Sequence, residues 1–189
     1  MPGFDSVSSD NARGARLATE HLLGLGHRRI VHLANRPSDG YLERREGFSR
    51  TVREHGVEPW IVEVDYSREA ATRAASELFD LAAPPTAVLA HNDQMALGVL
   101  DALHLRGLSA PQDVSVVGYD NTTPSRGPRV LLTTVDLHAL DLGRRAAEVA
   151  LWRSTHPDDE PVVEVSIPSL VVRASTGPPP RHRRPRQRP

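Results

Sequence analysis

Residues 85 to 107 read PTAVLAHNDQMALGVLDALHLRG, and this stretch decides the fold class. Thr86 to Ala90 is a short, almost wholly apolar run, as expected of a strand covered on both faces. His91, Asn92 and Asp93 then bring helix-capping chemistry, after which Ala96, Val99 and Leu103 recur at helical spacing until Gly107 stops the pattern. A buried strand that passes through a polar turn into a helix is half of a βαβ unit.

The same alternation continues on either side. Upstream, Arg29 to Ala34 is a β-rich run followed by turn formers from Asn35 to Gly40. Tyr41, Arg45, Phe48 and Val52 share a helix face closed by Gly56, ahead of the run Trp60 to Val64. A helix carrying Ala71, Ala75, Leu78 and Ala82 leads back to Thr86, and Val114 to Gly118 forms the fourth β run. Four strands alternating with three helices predict an α/β fold, a doubly wound parallel sheet with right-handed crossovers.

Beyond Gly118 the rhythm changes to a polar loop from Tyr119 to Arg129, a strand at Leu132 to Val135, a helix around Leu140 to Trp152, and short β runs at Val162 to Val165 and Leu170 to Arg173. At the other end, Ser8, Ser9 and Asp10 cap a helix carrying Ala15, Ala18 and Leu22. No strand is read before that helix, and the helix from Leu140 has no local sheet. Since a βα layer needs a sheet to pack on, the chain is expected to be the C-terminal piece of a longer protein.

With 189 residues, 39% of them hydrophobic and 25% charged, the chain can bury one substantial core or two small ones. No secretory signal or bilayer-spanning run is read, so a cytoplasmic setting without membrane attachment is expected. The absence of cysteine excludes disulfides, thiolate nucleophiles and Cys-based zinc sites. The net charge of −1 hides an asymmetry: residues 178 to 189 hold five arginines and no acid, which leaves −6 for the rest. An acidic body is a poor surface for nucleic acid. The Pro- and Arg-rich tail, from residue 177 on, is expected to be disordered and solvated, in preference to a nucleic-acid arm.

In an open α/β sheet, ligands bind beyond the carboxyl ends of the strands. Those ends deliver Asn35, Arg36 and, at the start of the next helix, Arg44; then Asp65 and Tyr66; then His91, Asn92 and Asp93; then Tyr119, Asp120 and Asn121. Arg, Asp and Asn each engage two neighbouring hydroxyls, and an aromatic ring covers the apolar face of a sugar or a base. The set suits a small polyhydroxylated ligand. Taken singly, the same residues have plainer uses, Asn92 or Asp93 as helix caps, Asp120 in a turn and Arg44 in a surface ion pair. Phosphate loops, nucleophile elbows, dinucleotide fingerprints and zinc motifs are missing from the sequence, so no catalytic residue, metal or cofactor is expected.

Asp10-Asn11 with Gly14-Ala15, His21 to Ile30, Arg44 to Phe48, Pro85 to Val88 with Asn92 to Gly98, Asp113 to Asn121, Leu132 to Val135 and Leu170 to Thr176 together resemble the LacI/GalR family of bacterial transcription regulators. The order and spacing hold from Val7 to Thr176. The resemblance implies a periplasmic-binding-protein-like type I fold of two lobes with a small effector between them. It assigns residues 1–24 and 137–165 to a partial first lobe, 25–136 to a nearly complete second lobe and 166–176 to a crossing strand. It places ligand-binding positions on Asp10, Arg44, Tyr66, Asn92 and Asp120. Where many members carry a glutamine after the Leu132 to Val135 strand, this chain has Leu137.

The expected function is therefore the effector-sensing part of a repressor. It would bind a sugar or other metabolite, work as a homodimer, and reach operator DNA only through an N-terminal helix-turn-helix that this chain lacks. The principal alternative is a periplasmic sugar-binding protein serving an ABC transporter; a sugar-processing enzyme ranks third.

Overall fold

The computed structural model describes residues 3–35, 40–127 and 130–180. Its larger unit is a six-stranded sheet in the order β3-β2-β4-β5-β6-β8. The strands are β2 (Ile30–Asn35), β3 (Trp60–Val64), β4 (Ala87–Ala90), β5 (Ser115–Tyr119), β6 (Thr133–Asp136) and β8 (Ser169–Val171). All neighbours run parallel except β8, which is antiparallel to β6.

The helices α1 (Asn11–Gly24), α2 (Tyr41–Glu54), α3 (Arg68–Phe79) and α4 (Asp93–Leu105) cover the two faces. Strand alternation divides the core between them. Val31, Leu33, Val88, Ala90 and Val116 join Ala71, Ala75, Leu78, Met95, Val99 and Leu103 from α3 and α4 on one face. Ile30, Ala87, Leu89 and Val117 join Ala18, Leu22, Phe48 and Val52 from α1 and α2 on the other. This is the doubly wound α/β architecture that the alternating runs predict.

A second, small sheet pairs β1 (Ser6–Ser9) with β7 (Val163–Ser166) in parallel, and α5 (Ala139–Thr155) lies against it. Three expectations are corrected here. A strand does precede α1; Ser6–Ser9 carries one apolar residue and becomes a strand only through its ladder with β7. The late helix does have a local sheet, although only Val149 of α5 is buried. Finally, α1 packs on the six-stranded sheet through Ala18, Leu22 and Leu23, so the small unit takes residues only as far as Ser9, not to residue 24.

The tail also begins later than expected. Gly177 donates its N–H to Ser115 Oγ and its carbonyl accepts from His27 Nε2, so the chain stays bound to the body beyond Thr176. The expectation of disorder for 181–189, and the loop residues 36–39 with Arg36, lie outside the described residues.

Candidate functional site

The winding direction of the sheet reverses between β2 and β4, and in an open α/β sheet the carboxyl ends at such a switch point are where ligands bind. Arg44, one turn into α2, lies beside these strand ends and is only 8% exposed. Its position depends on Gly40, whose φ of 72° starts α2 in a conformation that side chains resist. Arg44 Nε donates to Asn11 Oδ1 at 2.9 Å, and Nη1 donates to the His91 carbonyl at 2.7 Å. Nη2 stands 3.6 Å from Asp120 Oδ1. The guanidinium carbon lies 3.8 Å above the centre of the Tyr119 ring. One cation thus links the start of α1 with the ends of β4 and β5.

Burial dominates the electrostatics. It pushes the Asp120 carboxyl up to about 6, with Asp93 adding to the rise and Arg44 opposing it. It likewise raises the Tyr119 phenol, helped by the carboxylates of Asp120 and Asp10. His91 and His32, 2% and 1% exposed, are held neutral, their values lowered to about 3 and about 4 chiefly by burial, with Arg44 adding repulsion. His91 Nδ1 and His32 Nε2 are buried without a hydrogen-bond partner among the described residues.

The loop carrying Asp120 is held from beneath. Asp93, fully buried, accepts from Thr122 N at 2.7 Å, Thr122 Oγ1 at 2.9 Å and Thr134 Oγ1 at 2.6 Å. Asn121 donates to Asp136 and accepts from Arg126 and Arg173. The positive φ values of Asp120 (99°) and Asn121 (51°) aim the two side chains differently, one toward Arg44 and one into this network.

The five expected ligand positions fare differently. Arg44 and Asp120 meet directly. Asn92 and Asp10 each serve as an N-cap, accepting from Met95 N at 2.9 Å and Arg13 N at 2.8 Å, so the plainer use holds for those oxygens. Both still border the site, since Asn92 follows the carbonyl that Arg44 grips and Asp10 precedes the Asn11 that steadies it. Tyr66 stands apart, 55% exposed beyond the edge strand β3. Asn11 escaped the strand-end reading because it opens a helix whose preceding strand carries no apolar alternation. Tyr119 was placed at its strand end only as an aromatic face, with nothing to mark it as the floor under Arg44. Leu137 packs against the apolar layer below the site.

The polar forks and the aromatic face can grip a small molecule with several hydroxyl or amide groups. A group of three or more His, Cys, Asp or Glu able to hold a metal does not occur among the described residues.

A family model described as periplasmic binding protein-like domain matches residues 19–176. The chain is 37% identical over 177 residues to the HTH-type transcriptional repressor PurR of Glaesserella parasuis serovar 5 (strain SH0165), an alignment that covers 86% of this chain and 51% of that protein. The chain spans about half the length of the curated relatives it matches. Among solved structures, a LacI transcriptional regulator from a Rhodococcus species is similar at a TM-score of 0.88 and 37% identity, covering 94% of this chain and 66% of that one. A LacI family regulator from Enterococcus faecium with bound ribose gives a TM-score of 0.87 and 30% identity, covering 94% and 67%.

Proposed function

The chain belongs to the periplasmic binding protein-like domain family of LacI-type regulators, and from that membership we propose that it is the effector-sensing portion of a transcriptional repressor. Its six-stranded unit serves as one lobe, and β1, β7 and α5 contribute to the other. The observation that carries the reading is Arg44, held by Asn11 and the His91 carbonyl while its third nitrogen faces Asp120.

A small polar effector, a sugar or sugar derivative, bridges Arg44 and Asp120, with Asn92, Asp10 and Tyr66 at its margins. Because Asp10 lies where the chain leaves the small sheet, its own N–H bonded to Ser166 O at 3.0 Å, an effector touching Asp10 and Arg44 senses the geometry of both units. Only differential affinity for two interlobe arrangements can shift their balance. In the complete protein, a dimer acting in the cytoplasm, that shift alters the spacing of upstream DNA-reading domains. Repressors as relatives favour this role over solute delivery to a transporter.

The test is calorimetry on the complete protein with a panel of sugars headed by ribose, and nucleobases as the comparison set, followed by operator binding with each ligand that binds. The expected result is at least one ligand that binds through Arg44 and changes operator affinity. Binding that ignores Arg44→Ala, or leaves operator affinity unchanged, overturns the reading.

A further inference from the structure

Asn11, the first residue of α1, lies where the small sheet gives way to the large one. β1 ends at Ser9, which is paired in register with Ser166 of β7, and only the cap residue Asp10 separates it from the helix. From this corner the Asn11 side chain reaches in two directions. Its Oδ1 accepts from Arg44 Nε at 2.9 Å, and its Nδ2 donates to the Ser9 carbonyl at 3.3 Å. One amide thus connects the cation of the candidate site with the last residue of β1.

The two partners dictate the residue type. A guanidinium has only donors, so the atom facing Arg44 must accept; a carbonyl only accepts, so the atom facing Ser9 must donate. A carboxamide meets both demands, whereas an aspartate of the same shape meets the first and opposes the second. The amide is also closely packed, since a Cβ on Gly40 would stand 3.0 to 3.1 Å from its Oδ1, Cγ and Nδ2. Tyr119, whose ring lies under Arg44, donates its hydroxyl to the Asn11 carbonyl at 3.4 Å. A shift of Arg44 toward a ligand therefore pulls on Asn11, and through it on the end of β1. The neighbouring backbone bond from Asp10 N to Ser166 O has no contact with Arg44 and conveys nothing of its position.

We propose that Asn11 is a positioning residue that couples Arg44 to the small unit, so that engagement of the cation by an effector biases how β1 and β7 stand against the six-stranded sheet. The effector half of this inference rests on Arg44 as an effector contact. The mechanical half does not, because in the free chain Arg44 already braces β1 through the same amide.

The test has a ligand-free arm and an effector arm. In the first, amide hydrogen exchange is followed on the chain itself. Asn11→Asp keeps the acceptor for Arg44 and loses the donor to Ser9, and at the first position of a helix its charge suits the helix dipole, so the fold is retained. Asn11→Asp and Arg44→Ala each speed exchange in β1 and β7 by about 3- to 10-fold, with β2 and β4 unchanged as the internal reference. The double variant is no faster than the faster single one, because both substitutions break one chain of contacts. Exchange in β1 and β7 that ignores Arg44→Ala, or additive effects in the double variant, overturns the proposal.

In the second arm the complete protein is titrated with the sugar and nucleobase panel and with operator. Asn11→Asp holds effector affinity within about threefold, while the change in operator affinity that the effector produces shrinks by about 3- to 10-fold. Asn11→Ala, which also frees Arg44, lowers effector affinity by about 5- to 10-fold. A merely structural Asn11 would lower effector affinity and unfolding stability together and leave the effector's influence on operator binding intact, which overturns the proposal. If no ligand acts through Arg44 in the unsubstituted protein, the functional reading fails, and the exchange arm alone decides the coupling.

Discussion

Arg44 Nη2 stands 3.6 Å from Asp120 Oδ1, within ion-pair range yet too far for a good hydrogen bond, while Nε and Nη1 are tied at 2.9 and 2.7 Å to neutral groups. The cation is thus positioned by an amide and a carbonyl, and its carboxylate neighbour is left loosely engaged. Opposite charges held near each other without closing can both turn to a ligand that inserts hydroxyls between them. A tight bidentate pair would have to be broken first.

Replacing Arg44 with Ala removes a charge-assisted contact of roughly 1.5 to 3 kcal/mol, about a 10- to 150-fold loss of effector affinity. Arg44→Lys keeps the charge but loses the fork that reaches Asn11, His91 and Asp120 together, so it recovers only part of that loss. Calorimetry on the complete protein, with whichever sugar or nucleobase binds it, reads both variants.

Asp120 makes the stability of the fold depend on pH. Its folded value of about 6 lies above the ordinary aspartate value of 3.8, so its contribution is fully present below 3.8 and is lost as pH rises through about 6. Asp120→Asn does not titrate. The unfolding free energy of the natural chain minus that of the variant is expected to fall by up to about 3 kcal/mol between pH 4 and pH 7, measured by urea denaturation. A difference that stays flat across that window would show that the carboxyl is not displaced by burial.

Much of this architecture could be read from the chain. Runs such as Thr86 to Ala90 are apolar because both faces of β4 are covered, and the capping residues after them mark where each helix starts. That Arg44 and Asp120 come together was legible because both follow the carboxyl ends of strands in one parallel sheet. Illegible were features fixed by partners distant in sequence. Ser6–Ser9 is a strand only because β7 lies alongside, and Gly177 is bound only because His27 and Ser115 reach it. Asn92 and Asp10 show the opposite limit: a residue type suited to ligands also suits a helix end, and sequence does not say which demand takes the oxygen.

Gly47 sets the spacing that allows Asn11 to steady Arg44. A Cβ on Gly47 would stand 2.3 Å from the Ala12 carbonyl oxygen, a backbone atom that cannot swing aside. Gly47→Ala therefore forces α1 and α2 apart, destabilising the fold by about 1 to 3 kcal/mol. It also lengthens the Arg44–Asn11 bond, so effector affinity drops although residue 47 touches no ligand. Chemical denaturation and calorimetry on the same variant separate the two effects. By contrast Gly143, with open space around it, accepts alanine without loss.

The histidines beneath Arg44 work against Asp120 as pH falls. His32 and His91 have folded values of about 4 and about 3, below the ordinary histidine value of 6.5, so the unfolded chain takes up their protons first. Their contribution is complete above 6.5 and is lost as pH drops toward the folded values, each at up to about 1.4 kcal/mol per pH unit. Between pH 6 and pH 4 the single Asp120 carboxyl offsets one of these two, so the balance predicts net destabilisation on acidification. The charges of Arg44 and Arg45 repel a proton on His32 and add to the lowering that burial begins. His32→Leu, packed like the original ring near Phe48, is expected to flatten the acid limb of a plot of urea midpoint against pH, whereas Asp120→Asn steepens it. A natural chain whose midpoint holds or rises from pH 6.5 to pH 4 would mean that the two rings are not buried in the neutral form.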